Sequence, residues 1–373
     1  MTIDNTEICL SRYGTLSFFS GDDPIGASLR MYGEWAQAEI DVLLKLMPVG
    51  STVLDIGANI GTHTLAFADR VGSSGQVIAF EPQPRVIEVL KDNVLRNKLS
   101  NVRVEAVALG SRHCQMAFKK IDYAGHVNVG SVTLTQNEDF SCECINVITI
   151  DSLNLERCDF IKCDSEGMGV DIINGALETI KKFQPIIFLE CNNAIEGIDL
   201  YRIFYALGYE LFFFAFPVFN ENNYYNNKEN IFRWATETCL ICVEANKKSV
   251  VEQFNTFEPV KCEEALIEKI MSAPRFGDET EYARSKIELN TRLDLANEEI
   301  SELNFKIACK CLYIDGMKSQ GNNMLKVRPD NELLQEKERI IDSILSSTSW
   351  RVTKPLRFLK RLFKRMLRGL NCQ

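Results

Sequence analysis

The chain has 373 residues, 46% of them hydrophobic, a net charge of −9 and 13 cysteines. Its length allows one medium core domain plus an extension, and the acidic balance argues against general nucleic-acid binding. The odd cysteine count, behind an opening MTIDNTEIC with neither a basic start nor an apolar run, points to reduced thiols in a cytoplasm and no secretory signal; no 18-residue apolar run is present to span a membrane.

Residues 1–33 read as short strands and a turn, and Glu34–Leu46 as an amphipathic helix with Trp35, Ala38, Val42 and Leu46 at near-helical spacing, stopped by Pro48 and Gly50. The run VLDIGANIGTHT, Val53–Thr64, predicts a buried strand that breaks into a glycine turn and opens a helix over Thr62–Val71. Gly57 and Gly61 remove side chains where backbone approaches a ligand, and Asp55 sits near the strand's carboxyl end. A second strand, Gln76–Phe80, ends in Glu81-Pro82, where a carboxylate can accept both hydroxyls of a ribose. The dinucleotide pattern G-x-G-x-x-G would need glycine at Asn59 and Thr62. Asp55 ahead of the first glycine suits instead a cofactor with a cationic methionine moiety and no pyrophosphate. These features assign Asp55, Gly57, Ala58, Asn59, Gly61, Glu81 and Pro82 to S-adenosylmethionine, with His63 either at its methionine end or facing the sheet.

A helix over Pro84–Asn97 and a strand over Val102–Leu109 follow. Residues 110–150 lack helical periodicity and read as a β-rich insertion holding His113, Asp122 and His126, the natural place for substrate specificity. Strand four, Phe160–Cys163, ends in Asp164, with Glu166 and Gly167 opening a helix to about Lys182; strand five, Ile186–Leu189, ends in Glu190. Open α/β sheets bind ligands outside the carboxyl ends of their strands, which puts Asp55, Glu81, Asp164 and Glu190 on one rim. The last two strands, Glu210–Phe216 and Thr238–Glu244, flank the loop NENNYYNNKEN, a solvated linker or a cover over substrate. Cys239 and Cys242 form a C-x-x-C pair without a second pair at zinc-ribbon distance, so no metal centre is expected.

The segments SLRMYGEWAQAEI, VLDIGANIGTHT, VIAFEPQP, FIKCDSEGMGVDIINGA and PIIFLE occur in the order found in the FkbM family of methyltransferases, which the chain resembles over about residues 25–245. The resemblance implies a class I methyltransferase-like α/β fold: a Rossmann-like, doubly wound, mostly parallel sheet with an antiparallel last strand. It also implies methylation of a hydroxyl oxygen, with S-adenosylmethionine as cofactor. Many relatives of this kind sit among genes for cell-surface polysaccharides, which suggests a sugar hydroxyl of a polysaccharide or its lipid-linked precursor as acceptor. A small secondary metabolite or an amide nitrogen is the alternative, and a non-catalytic assembly subunit that keeps the cofactor fold is another. An alcohol acceptor has a proton to lose, and Asp164, Glu166 and Glu190 are the candidate bases in that order. Asp164 would otherwise be a helix N-cap, and Glu190 a hydrogen-bond partner of a neighbouring loop. The family often carries an acid at the position of Gly169; lacking it, the remaining acids are a weak case for Mg²⁺. Tyr32, Glu34 and Trp35 lie where an N-terminal helix can cross the cofactor pocket.

Beyond about Pro259 the chain turns to Glu, Lys and Leu. Over 286–310 Leu289, Ala296 and Leu303 fall at d and Leu293, Ile300 and Ile307 at a, a short homodimer seam or a helix folded back on the core. A helix over Asn331–Leu345 precedes a tail from Ser346 with eight basic and no acidic residues, leaving −17 on the rest. Leu359, Leu362, Phe363, Met366 and Leu370 share one helical face there, the pattern of an interfacial helix at an anionic membrane or on a glycosyltransferase partner, and a place at the membrane's inner face. The domains predicted are thus 1–50, 51–258, 259–328 and 329–373, the last two a helical C-terminal extension.

Overall fold

The computed structural model describes residues 3–121, 123, 125, 128–130, 142–233 and 235–273. The chain divides into two units, Met1–Phe276 and Gly277–Gln373. The expected coiled-coil seam, the helix over 331–345 and the basic tail fall in the second unit and lie outside the described residues, as do Asp122 and His126.

The first unit opens with the hairpin β1 (Thr6–Ser11) and β2 (Gly14–Phe19), followed by α1 (Ile25–Tyr32) and α2 (Gln37–Leu46). The winding then starts: β3 (Thr52–Ile56), α3 (Thr62–Val71), β4 (Gln76–Phe80), α4 (Pro84–Arg96) and β5 (Val102–Glu105). A small sheet interrupts it, β6 (Ala108–Leu109), β7 (Cys114–Lys119) and β8 (Cys142–Ile148). The main sheet resumes with β9 (Phe160–Cys163), α5 (Gly169–Asn174), α6 (Leu177–Phe183), β10 (Ile186–Glu190), α7 (Ala194–Ala206), β11 (Tyr209–Pro217) and β12 (Thr236–Glu244). It closes with α8 (Ser249–Glu252), β13 (Glu258–Pro259) and α9 (Glu263–Ser272). None of the described helices is long and apolar enough to cross a membrane.

The main sheet runs β13-β11-β12-β10-β9-β3-β4-β5. From β5 to β10 every pairing is parallel; β12 inserts against the common direction, antiparallel to both β10 and β11, and the short edge strand β13 pairs antiparallel with β11. This is the doubly wound, mostly parallel sheet with an inserted antiparallel strand that the resemblance implies. The chain winds outward from β3 through β4 to β5 and then returns to β9 on the other side of β3. The carboxyl ends of β3 and β9 therefore flank the point where the strand order reverses, the place such sheets leave open for a ligand.

Alternation along the strands builds the two core layers. Leu54, Ile56, Ile161 and Cys163 pack against α5, α6, α7 and α9, while Val53 and Phe160 face Phe67 of α3 and Leu43 of α2. By the same alternation Asp55 and Lys162 point to the α2–α3 side, and they are register partners in the β3–β9 ladder.

Four expectations change. The segment before Gly33 holds a helix, α1, which Gly33 ends by donating its left-handed N–H to Leu29 O. The strand expected over Val102–Leu109 splits into β5 and β6, which belong to different sheets. The helix after Gly167 is two short ones, broken at Gly175. The Asn-rich loop is neither a plain linker nor a free cover: it is strapped to the N-terminal hairpin and α1. Buried Glu34 accepts from Arg12 Nε and Nη2 at 2.9 and 2.6 Å, Asn220 Nδ2 at 2.7 Å and the Tyr224 amide at 2.8 Å, while Tyr32 Oη donates to Glu229 O at 2.7 Å. Removing an acceptor that serves several donors at once should be costly. Glu34→Ala is expected to lower stability by about 2–3 kcal/mol, read by chemical denaturation; an unchanged midpoint would mean the strap contributes nothing.

Candidate active site

Gly57 follows β3 with φ +74°, and a Cβ there would stand 1.7 Å from the backbone oxygen of Asp164. The loop after β3 and the end of β9 thus touch through bare backbone, which only glycine allows. Gly57 N and Ala58 N both donate to Phe80 O, at 3.1 and 3.0 Å, tying the loop to β4. Ala58 is buried against Ala79 and Leu90, and Gly61 heads α3 in a left-handed conformation.

Glu81 is buried at the end of β4, with Pro82 beyond it. Its Oε2 accepts the Asn59 amide at 3.0 Å and its Oε1 the Gln83 amide at 2.9 Å. In the structure it braces the glycine loop, a role the sequence did not suggest. Burial pushes its pKa up to about 7 despite those two amides. Gln83 in turn donates to Val129 O at 3.1 Å, and the Val129 amide donates to Asp22 Oδ1 at 3.2 Å, so residues 128–130 lie beside the loop.

Around Lys162 the structure gathers a set of ionisable groups. Lys162 is 1% exposed. Its Nζ lies 3.1 Å from Asp164 Oδ2, 3.4 Å from Gly57 O and 3.7 Å from Asp55 Oδ1. Asp55 is fully buried; its Oδ2 accepts from Thr64 Oγ1 at 2.5 Å, while its Oδ1 has no hydrogen bond. His63 Nε2 is 3.0 Å from Glu39 Oε1, both buried, so His63 faces α2. Asp164 does not cap a helix: α5 begins only at Gly169, and no side chain caps it at Met168. Its carboxylate, 41% exposed, meets Lys162 and Glu190 instead. Partial burial would raise its pKa, but the ammonium and the Glu190 hydrogen bond outweigh that and hold it below the ordinary range.

Glu190 is raised well above its ordinary value, first by burial and then by the Asp164 charge beside it, which favours its neutral form. Asn192 Nδ2 donates to Glu190 Oε1 at 2.5 Å and to Glu237 Oε2 at 3.1 Å, extending the chain to β12. Burial pushes Glu237 up to about 7. A cleft of about 210 Å³ opens here, between the segment after β9 and the segment after β10; Glu166, exposed, and Glu196 are among its walls. The Glu196 carboxylate accepts the Gly169 and Val170 amides, and its Oε1 would stand 2.7 Å from a Cβ at Gly169. The place of an acidic side chain at 169 is therefore filled from α7. Among the described residues no group of three or more acidic, histidine or cysteine side chains is arranged to hold a metal.

The structure brings Asp55, Gly57 and Asp164 around Lys162, sets Glu190 against Asp164, ties Glu81 to the loop through the Asn59 amide, and puts Glu166 on the cleft wall. Sequence reasoning missed Lys162, Asn192 and Glu237. A lysine inside the apolar run Phe160–Cys163, on the same face as Asp55, was the available signal for the first. Asn192 and Glu237 meet only through the insertion of β12, which no local pattern reveals.

The buried acids fix how stability varies with pH. Asp22, raised by burial to about 6, and Glu81 and Glu237, raised to about 7, keep protons in the fold that the unfolded chain has released near its ordinary carboxylate values. Their contribution is complete below the unfolded values and lost as pH rises through about 6 to 7. The thermal midpoint should fall between about pH 5 and pH 8, and less steeply in Glu81→Gln; a midpoint that climbs across this window would contradict the assignment.

Residues 55–223 match the family profile described as the Methyltransferase FkbM domain. A 53-residue stretch is 40% identical to a probable ribosomal RNA small subunit methyltransferase A of Methanosphaera stadtmanae; it spans 14% of this chain and only 18% of that protein's length. Among solved structures, a methyltransferase FkbM from Methylobacillus flagellatus KT is 16% identical, with 52% of this chain and 44% of that chain covered at a TM-score of 0.37. A precorrin-6y C5,15-methyltransferase from Geobacter metallireducens GS-15 is 14% identical, with 56% and 88% covered at a TM-score of 0.35.

Proposed function

We propose, for a chain whose residues 55–223 belong to the FkbM methyltransferase family, that the protein transfers a methyl group from S-adenosylmethionine to a hydroxyl oxygen, on a sugar of a cell-surface polysaccharide or its lipid-linked precursor. The observation that carries this reading is the Gly57 contact with Asp164, which joins a cofactor-type loop to an ionised carboxylate at the switch point of the sheet. The residues fit the cofactor: a backbone cradle that a Cβ would fill at Gly57, a buried Asp55 oxygen without a hydrogen bond, and Glu81 bonded to the same loop through the Asn59 amide. Asp55, Gly57, Ala58, Asn59, Gly61, Glu81 and Pro82 would hold it. His63 is a weaker member of that set, because its Nε2 is turned to Glu39.

When bound, S-adenosylmethionine supplies a methyl already activated on a sulfonium. What the chain must add is alignment, worth roughly 7–11 kcal/mol in favourable cases, and a destination for the acceptor's proton. Asp164, ionised and partly open, takes that proton as the hydroxyl oxygen gains the methyl. Glu190, whose neutral form burial and the Asp164 charge favour, does not repel the incoming oxygen. Glu166 and Glu196 contribute to the cleft in which the acceptor would lie.

The test is to incubate the full chain with methyl-labelled S-adenosylmethionine and isolated polysaccharide or lipid-linked oligosaccharide. Label in an ether stable to mild base supports the reading; label only in small amines or amides would favour the alternative acceptor. The basic tail, as a sequence pattern, favours an anionic membrane surface: deleting 346–373 should abolish sedimentation with anionic vesicles, and sedimentation that survives would move the contact elsewhere. The seam over 286–310 is likewise a proposal, for a homodimer, checked by the mass of the full chain in solution.

A further inference from the structure

We infer that Lys162 is a positioning residue serving both halves of the site: a single ammonium tethers the cofactor loop through the Gly57 carbonyl and fixes the carboxylate of Asp164. The inference rests on the function proposed above, because it takes the loop as the cofactor cradle and Asp164 as the base.

An ammonium in a protein interior costs several kcal/mol of hydration, and the rest of its strand, Phe160, Ile161 and Cys163, is apolar and buried. A purely structural account would make Lys162 the counter-charge of Asp55, its register partner. The distances do not favour that account. Nζ is 3.7 Å from Asp55 Oδ1 but 3.1 Å from Asp164 Oδ2 and 3.4 Å from Gly57 O, the two groups that meet at the switch point. An ammonium has three donors that radiate from one atom, whereas the planar fork of arginine could not reach three acceptors set around a point. One consequence is mechanical: a shift of Gly57 as the loop accepts a ligand is passed to Asp164 through one side chain. The other is electrostatic. The groups facing this ammonium are acidic on several elements: Asp164 after β9, Asp55 on β3, Glu39 on α2 and Glu81 after β4, while Glu190 on β10, Glu237 on β12, Glu166 and the His63 ring on α3 lie about the Asp164 carboxylate. Without Lys162, Asp164 would sit among acids and, among the described residues, with no lysine or arginine beside it in this cluster.

The test is a carbon-13 carboxyl NMR titration of the full chain labelled at aspartate, with the Asp164 resonance assigned from Asp164→Asn. It is made on the unsubstituted protein, Lys162→Gln and Lys162→Arg, alongside calorimetric titration with S-adenosylhomocysteine. In Lys162→Gln the Asp164 midpoint should rise by about one pH unit or more and S-adenosylhomocysteine binding should weaken roughly tenfold. In Lys162→Arg the midpoint should stay low, because charge is kept, while binding still weakens. Should Lys162→Gln fail to fold, the double variant Asp55→Asn, Lys162→Gln, which removes both charges of the ladder pair, gives the same midpoint readout. An unmoved Asp164 midpoint in whichever of these is folded overturns the inference while leaving the proposed function standing. Failure of the unsubstituted protein to bind S-adenosylhomocysteine overturns the proposed function, and the tether with it.

Discussion

Gly57→Ala is expected to abolish measurable S-adenosylhomocysteine binding and to lower stability by about 3 kcal/mol or more. Two penalties act together. The residue sits at φ +74°, where an L side chain is strained, and the new Cβ would fall 1.7 Å from the Asp164 carbonyl oxygen, a backbone atom that cannot rotate away. Relief requires parting β3 from β9 at their carboxyl ends. That motion would also pull Gly57 O from Lys162 and release the Phe80 carbonyl from the amides of Gly57 and Ala58. Calorimetry and denaturant unfolding read the two effects separately. Near-normal binding and stability in this variant would mean that the loop and β9 do not approach as described.

Asp164→Asn should bind S-adenosylhomocysteine with nearly unchanged affinity and turn over at least about 10²-fold more slowly on the fraction that accepts label. The amide keeps the shape of the side chain but cannot take a proton from a hydroxyl. Glu190→Gln separates the base from its neighbour. Because burial and the Asp164 charge favour the neutral form of Glu190, a glutamine that can still donate to Asp164 stands in for it, and turnover should fall by less than about tenfold. If the two variants behaved in the reverse order, the base would be Glu190; full turnover in Asp164→Asn would remove Asp164 from the chemistry.

Most main-sheet strands were legible because each is an apolar run bounded by turn residues, whereas β5 was read through into β6 and the two-residue β13 went unread; the rim followed from the rule that ligands meet such sheets at their carboxyl ends. Gly57 was legible as a place where backbone needs room, though not what would fill it. That is the Asp164 carbonyl, contributed by a strand about a hundred residues later. The helix α7 went unread although its start is marked: Asn193 caps the amides of Ile195 and Glu196, and Asn-x-x-Glu is a capping-box pattern. Helix α1 offered no such mark, since no side chain caps its start and Pro24 stands before it.

The site's electrostatics were the least legible part. Lys162 went unread, because its partner Asp55 stands opposite only once β9 pairs with β3. Asp164 read equally well as a cap, and what separates the two roles is that α5 starts five residues later. Gly169 looked like the loss of an acid. In three dimensions its lack of a side chain is what lets Glu196 reach the amides at the start of α5.

The central claim is that the loop after β3 and the end of β4 hold S-adenosylmethionine. It is tested most directly by calorimetric titration of the full chain with S-adenosylhomocysteine, beside an Asp55→Ala, Glu81→Ala double variant shown to be folded. The account predicts micromolar binding that is lost in the variant. No binding by the unsubstituted protein, or binding that the variant keeps, would contradict it, and the first of these would favour a non-catalytic assembly subunit.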